Sequence, residues 1–122
     1  DDMYEKFLGI RSPNRTQGVL QDIHWSMGAF GYFPTYTLGN LYSAQLLAAA
    51  RLDLEGEESL EEMWSRGEFE PLLQWMRDNV HARGSILSPA ELIEEATGQP
   101  PTPQPFIDYL SAKIERLYDV NA

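Results

Sequence analysis

The sequence contains no cysteine. The chain therefore has no disulfide framework and no thiolate to act as a nucleophile or a metal ligand. Basic residues are also scarce, because 9 Lys and Arg stand against 19 Asp and Glu, for a formal net charge of −10. Nucleic acids and anionic membranes attract basic surfaces, so this balance argues against both as partners.

Long hydrophobic runs are absent as well. No stretch approaches the roughly 20 apolar residues of a membrane span, and nothing at the start resembles a signal peptide. We therefore expect a cytoplasmic protein. Its composition is that of a globular chain, with 43% hydrophobic and 23% charged residues. The aromatic residues, 11% of the chain, are expected to form core or pocket wall.

The first nine residues have the pattern of the end of a helix. Tyr4, Phe7 and Leu8 share one helical face, and Gly9 is suited to follow the last turn. A helix without a beginning suggests a piece of a longer polypeptide. Residues 10–35 are then rich in Gly, Pro and aromatic side chains and lack a helical period. They predict an irregular segment, with short strands at Val19–His24 and Ala29–Phe33.

The rest of the chain, residues 36–122, is predicted to form about five helices, which makes the protein mainly α. Apolar residues recur there at helical spacing. Ser59 and Ser88 each begin a capping box, and Pro89 occupies a favoured first helical position. The expected helices are Thr35–Leu52, Ser59–Arg66, Glu68–Arg83, Ser88–Ala96 and Pro105–Tyr118.

The irregular segment contains the residues that are best suited to form an active site. Asp22 and His24 are two positions apart, so in an extended strand their side chains point the same way. A carboxylate beside an imidazole orients the ring and fixes its tautomer. The alternative is a polar surface strand followed by a core tryptophan at Trp25.

A second candidate is the run from Phe30 to Tyr36, which contains Tyr32 and Pro34. Proline stiffens this run, so it could hold a tyrosine hydroxyl against a pocket. A phenol that faces a reaction centre can stabilise an oxyanion. The alternative is an aromatic cluster that ties the following helix to the core.

A complete catalytic set is not present. The only two histidines, His24 and His81, are far apart in the sequence, and there is no H-E-x-x-H or G-x-S-x-G motif. A catalytic zinc usually needs three protein ligands. The sequence therefore predicts no metal site in this chain.

The eight residues Gly18-Val19-Leu20-Gln21-Asp22-Ile23-His24-Trp25 resemble the G-x-x-Q-D-x-H-W signature of the Taq-type, thermostable metallocarboxypeptidases. The resemblance continues through residues 30–36 and 38–42. It also includes residues 8–11, 88–93, 106–110 and 117–118, so it covers essentially the whole chain.

The resemblance implies that residues 1–122 are a single helical C-terminal subdomain of a larger all-α metallopeptidase, with 10–35 as its active-site loop. Such enzymes release single C-terminal amino acids from peptides with zinc or cobalt. An upstream H-E-x-x-H helix and a glutamate hold the metal. The implied partners are peptide substrates, the upstream catalytic part of the same polypeptide and a second copy in a homodimer. The chain alone would bind no metal and be inactive.

By the same resemblance, His24 and Tyr36 would donate hydrogen bonds to the oxyanion, with Tyr32 as the competing donor. Asp22 would orient His24. The non-catalytic alternative is a helical domain for assembly or dimerisation.

Four further residues are candidates for substrate binding. Gln21 would bind the substrate backbone, and Trp25 would pack behind His24. Arg11 or Arg15 could pair with the substrate carboxylate through bidentate hydrogen bonds. The alternative is that Arg11 and Arg15 are ordinary arginines of a surface loop.

Overall fold

The computed structural model describes residues 1–118 and contains six α-helices, with no strand among those residues. The mainly α prediction is therefore confirmed. The last four residues of the predicted 36–122 segment lie outside the described part. No helix within it is both long and apolar enough to cross a lipid bilayer. The helices are α1 Asp2–Leu8, α2 Pro34–Leu54, α3 Leu60–Ser65, α4 Glu70–Asn79, α5 Pro89–Thr97 and α6 Gln104–Tyr118.

The chain divides into two compact units, Asp1–Thr35 and Tyr36–Ala122. The first unit contains α1, which ends at Gly9 in the left-handed conformation, with a φ of 68°. The Gly9 N–H donates to the carbonyl of Glu5, as expected for a residue that closes a helix. A series of turns then fills residues 10–33.

The prediction of short strands at Val19–His24 and Ala29–Phe33 is wrong. The backbone there bonds to itself over three to five residues, as in Gln21 N–H to Gly18 O and Ala29 N–H to His24 O. A strand needs a neighbouring strand, and these local bonds use the groups that would pair with one. Gly28 and Gly31 also have φ values of 76° and 73°, which turn the chain back on itself.

The second unit is held together by a few buried side chains from different helices. Ala50 of α2, Leu60 of α3, Trp75 of α4 and Ile93 of α5 are its buried apolar residues. The Trp75 indole N–H donates to the Asp53 carboxylate at 2.8 Å, which ties α4 to α2. One buried polar residue, Gln45, completes this core.

Both predicted capping boxes are present. The Ser59 hydroxyl accepts from the Glu62 N–H while the Glu62 carboxylate accepts from the Ser59 N–H, and Ser88 and Glu91 do the same. These reciprocal bonds satisfy amides that the first helical turn leaves unpaired. The starts of α3 and α5 were therefore predictable from local sequence.

The predicted helix from Glu68 to Arg83 is shorter than expected. The α-helix ends at Asn79, and residues His81–Arg83 form a separate 3₁₀ turn. The Asn79 side-chain amide donates to the Trp75 carbonyl at 3.0 Å. Such side-chain bonds compete with the backbone for the acceptor and favour an end to the helix. His81 consequently lies in the 3₁₀ turn rather than late in a helix.

The expectation that most aromatic residues are core or pocket wall is also wrong for this chain. No residue of the first unit is buried, and Trp25 and Phe30 are each 71% exposed. Helix α6 likewise buries no residue. Among the described residues, large apolar side chains therefore remain at the surface.

Candidate active site

The predicted Asp22–His24 pair is formed, although by a turn rather than a strand. One oxygen of Asp22, Oδ1, accepts from the His24 backbone N–H at 2.8 Å and lies 2.5 Å from His24 Nδ1. An Asp side chain that bonds the backbone two residues on forms an Asx turn. The short spacing brings the two side chains together because the turn folds the chain locally.

The charge of Asp22 decides which nitrogen of His24 carries a proton. The hydrogen bond from the His24 backbone N–H, followed by that from its ring, lowers the pKa of Asp22 from its ordinary value, and burial opposes this only in part. The carboxylate is thus ionised near neutral pH and can only accept. Nδ1 must therefore be the donor, and Nε2 is the ring atom left for other partners.

Two consecutive aromatic rings contact the His24 ring. Tyr32 stacks on it with a centroid separation of 4.9 Å and an interplanar angle of 28°. Phe33 packs at 4.6 Å and 54°. The His24 side chain is 32% exposed, so this packing leaves it accessible.

Trp25, the neighbour of His24, makes its ring contact with Phe30 at 5.8 Å. Its indole is largely exposed. In this chain the residue is therefore placed beside Phe30 at the surface, rather than in ring contact with His24.

Close packing at the start of the segment favours glycine at position 18. A Cβ added there would lie 2.6 Å from Ser12 Oγ and 3.1 Å from Ser12 Cβ. The Gly18 carbonyl also accepts from the Gln21 N–H, which closes the turn before Asp22. Gln21 itself is exposed.

The two candidate arginines differ in their surroundings. Arg11 pairs with Asp2 at 3.1 Å and with Glu5 at 3.2 Å, which fastens the loop to α1. Arg15 makes no ion pair within residues 1–118. Arg15 is therefore the one that could bind a carboxylate without first giving up a partner.

Tyr36, the other predicted donor, belongs to the second unit. It lies in the first turn of α2, which begins at Pro34, and the residue is 58% exposed. Immediately before it, the Thr35 N–H and hydroxyl both donate to the Tyr32 carbonyl, at 3.2 and 2.6 Å. These bonds fix the entry into α2.

Comparison with known proteins now identifies the group to which the chain is related. Residues 1–114 match the model of the carboxypeptidase Taq (M32) metallopeptidases. The chain belongs to this family. The G-x-x-Q-D-x-H-W resemblance at residues 18–25 lies inside the matched range, and the predicted relationship to the Taq-type metallocarboxypeptidases is confirmed.

Individual M32 relatives agree with this assignment. The chain is 46% identical over 117 residues to thermostable carboxypeptidase 1 of Thermus thermophilus and 44% identical over 115 residues to carboxypeptidase 1 of Bacillus subtilis. These alignments cover 96% and 94% of this chain, but only 22% of each relative. The chain thus spans about a fifth of the length of the curated relatives it matches.

A solved structure of the family has the same fold in the matched part. The M32 carboxypeptidase from Deinococcus radiodurans R1 superposes with a TM-score of 0.83 and 44% identity. The match covers 98% of this chain and 24% of that one. The helical fold described above is therefore part of a larger M32 architecture.

The residues present do not form the metal site that the family name implies. Within residues 1–118, no group of three or more His, Cys, Asp and Glu side chains could hold a metal ion. The carboxylate of Asp22 contacts His24 at Nδ1. A catalytic zinc needs three protein ligands, so the donor set found here does not fit one.

Sequence reasoning missed the contact of Phe33 with His24. Phe33 was predicted only as a member of the aromatic run, whereas the structure packs its ring against the imidazole. The available signal was its place directly before Pro34, where the backbone is conformationally restricted. Spacing alone did not indicate which ring would contact His24.

Proposed function

We propose that this chain is the C-terminal part of a metal-dependent carboxypeptidase that releases single C-terminal amino acids from peptides. Membership of the M32 family and the named carboxypeptidase relatives support the reaction class. The observation that carries the site is the ordered Asp22–His24 pair within the family signature. We place the protein in the cytoplasm.

The metal would be bound by residues outside this chain, because the side chains of residues 1–118 do not fit a metal site. Zinc or cobalt is the cofactor proposed for the full-length enzyme. The chain would supply oxyanion and substrate contacts alone, so we propose that it is inactive by itself.

His24 is proposed to stabilise the oxyanion that forms when the peptide bond is attacked. Its Nδ1–H is already donated to Asp22, so the donor toward the substrate must be Nε2. Nε2 carries a proton in this arrangement only when the ring is an imidazolium. Asp22 would therefore orient His24 so that Nε2 is the ring atom available to the substrate.

Tyr36 is the proposed second donor, with Tyr32 as its competitor. The exposed Tyr36 side chain lies at the beginning of α2. Tyr32 is already placed by the contact of its ring with His24. With Tyr36 as the oxyanion donor, Tyr32 would form part of the pocket wall beside His24.

Substrate recognition is assigned to residues around the signature. Arg15 is the better candidate for the free carboxylate, since Arg11 is paired with two acids. A guanidinium suits this role because it can bind a carboxylate through two parallel hydrogen bonds. The exposed Gln21 amide would contact the substrate backbone, and Trp25 would line the pocket.

The deciding experiment measures amino-acid release from a peptide. This chain and a full-length version that contains it are assayed side by side, each with added zinc or cobalt. We expect release of single C-terminal residues by the full-length protein and none by the chain. Absence of release by a metal-loaded, folded full-length protein would reject the proposed function. Stoichiometric zinc retained by the chain after dialysis and lost on His24→Ala would reject the placement of the metal.

An assembly or dimerisation domain is the second candidate. It is favoured by the apolar side chains that α6 leaves exposed and by a groove of about 570 Å³ between α2 and α6. Ala44, Leu47 and Phe106 are among the residues that line the groove. In this interpretation the chain docks to the upstream part of its own polypeptide, or to a second copy in a homodimer.

A further inference from the structure

His24 is held by more than its carboxylate partner. Asp22 engages one edge of the imidazole at Nδ1, while Tyr32 and Phe33 contact the ring at 4.9 and 4.6 Å. The two aromatic rings also contact each other, with centroids 5.6 Å apart and planes at 77°. His24, Tyr32 and Phe33 therefore form one three-ring cluster.

One hydrogen bond does not fix the ring of a histidine. The torsion between Cβ and the imidazole is broad and roughly twofold, so a half-turn would take Nδ1 away from Asp22. Aromatic neighbours oppose such a turn because the ring loses its packing as it rotates. The contacts with Tyr32 and Phe33 therefore hold the ring in the plane from which Nδ1 reaches Asp22. Within that plane, the hydrogen bond to Asp22 selects the orientation in which Nδ1 donates and Nε2 faces away.

The backbone that carries these two rings is itself restrained. Phe33 precedes Pro34, and a residue before proline has a reduced range of conformations. Thr35 donates twice to the Tyr32 carbonyl, through its N–H and its hydroxyl. The two rings thus project from a stiff entry into α2 rather than from a flexible loop.

We propose that Phe33, together with Tyr32, is a positioning residue that keeps the His24 ring in the orientation presenting Nε2 to a ligand. The consequence for catalysis rests on the proposed function, in which Nε2 contacts the oxyanion. The effect on the ring itself does not depend on a metal or a substrate. It can therefore be measured in this chain.

The test uses the fact that the chain has only two histidines, His24 and His81. Ring ¹⁵N chemical shifts of histidine-labelled protein, recorded where both rings are neutral, give the ratio of the Nδ1–H to the Nε2–H form of each. We expect the Nδ1–H form to dominate at His24. Phe33→Leu should lower its ratio by roughly threefold to tenfold, the range that follows from the strength of one aromatic pair.

Matched variants separate positioning from general loss of structure. Phe33→Tyr keeps the ring and should retain the ratio, and Tyr32→Phe should do the same. Phe30→Leu makes the same chemical change in a ring that contacts Trp25, and should leave His24 unaltered. In the full-length enzyme, Phe33→Leu should lower kcat by a similar factor with little change in KM, and Phe33→Tyr should restore it.

An unchanged tautomer ratio in folded Phe33→Leu overturns the proposal, as does an equal effect of Phe30→Leu. If Phe33→Leu does not fold, the proposal can still be tested in the wild-type chain. Its His24 ring protons must show aromatic ring-current shifts and nuclear Overhauser contacts with Phe33, and their absence would be fatal. Neither measurement involves peptide hydrolysis. A negative carboxypeptidase assay would therefore not contradict the positioning of His24 by Phe33. A negative tautomer measurement would likewise not contradict the proposed carboxypeptidase function.

Discussion

At the scale of single residues, the site depends on one short turn in which Asp22 binds His24 twice. The turn places the Asp22 carboxylate against Nδ1 and leaves Nε2 as the ring atom available to other partners. Three residues therefore have separate expected phenotypes. Tyr36 is the proposed second donor, Tyr32 stacks on the imidazole, and Asp22 accepts the hydrogen bond from Nδ1.

The first prediction separates the two tyrosines in the full-length protein. Tyr36→Phe removes one oxygen and keeps the ring, so it should lower turnover by about 100- to 1000-fold with little change in KM. Tyr32→Phe should keep near-normal turnover because its ring remains on His24. Steady-state kinetics at unchanged melting temperature measure both. A large loss of turnover for Tyr32→Phe instead would exchange the two roles. Normal turnover for both variants would mean that each tyrosine only lines the pocket.

A second prediction concerns the titration of Asp22. Its pKa lies below the ordinary value of 3.8, chiefly because of the His24 backbone N–H and then because of the ring. His24→Ala removes only the ring, so the pKa of Asp22 should rise part of the way. Carboxyl ¹³C chemical shifts followed through acid pH measure this change, with His81→Ala as the control. A complete return to the ordinary value would show that the backbone bond is not formed.

The lowered pKa of Asp22 also makes the stability of the turn depend on pH. A carboxylate whose pKa is lowered by folding stabilises the folded state above its unfolded pKa, and the contribution disappears as pH falls through the lowered value. The Asp22–His24 turn should therefore still be closed at pH 3.8 and should open only at a lower pH, as the pH falls through the lowered pKa of Asp22. Asp22→Asn should remove this acid transition at the turn.

At the scale of elements, the helix starts were predictable and the irregular segment was not. Ser59 and Ser88 determine their caps through residues three positions away. The pairing of Asp22 with His24 was also foreseen, but from strand geometry that the structure does not have. In the turn, the same spacing works because the Asp22 side chain bonds the backbone. The end of α4 at Asn79 depends on a side-chain contact that apolar spacing cannot reveal.

The connector between α5 and α6 depends on one buried amide. Gln45 Nε2 donates to Thr97 Oγ1 at 3.0 Å and to the Gln99 and Pro100 carbonyls at 3.1 Å, while its Oε1 accepts from the Thr102 N–H. Gln45 is only 4% exposed, so loss of these bonds would leave backbone groups unpaired near the core.

The third prediction tests this connection with Gln45→Leu, which keeps the approximate size and removes the hydrogen bonds. Each unpaired buried group costs about 1–3 kcal/mol, so we expect the free energy of unfolding to fall by roughly that amount or more. Urea denaturation measures the change. Gln74→Leu is the control, because Gln74 is exposed on α4 and should change stability by less than about 0.5 kcal/mol. Equal effects of the two substitutions would contradict the role of Gln45.

At the scale of the whole molecule, the chain has more apolar surface than its small core can cover. Along α6, Ile107, Leu110 and Ile114 are 47%, 37% and 49% exposed, and Leu117 is 59% exposed. Their spacing of three, four and three residues places them on one side of the helix. Contiguous apolar surface of this kind marks a site of interaction. A chain that spans about 22% of its relatives' length is expected to cover this surface with the remainder of the protein or with another copy.

The last prediction concerns the isolated chain, in which a second copy is the available cover. We expect a concentration-dependent dimer formed through the exposed side of α6, despite the repulsion that a net charge of −10 imposes on each copy. Ile114→Lys places a charge within that side and should weaken association by roughly tenfold or more, the effect of losing one buried apolar side chain. Ala112→Lys adds the same charge but points to the other side of the helix, so it should leave association intact. Sedimentation equilibrium of both variants measures the difference. A wild-type chain that remains monomeric at high micromolar concentration would contradict the dimer. If both variants weaken association equally, the cause is the added charge and not a contact made by the apolar side of α6. Only such a contact would make association more sensitive to a charge at position 114 than at position 112.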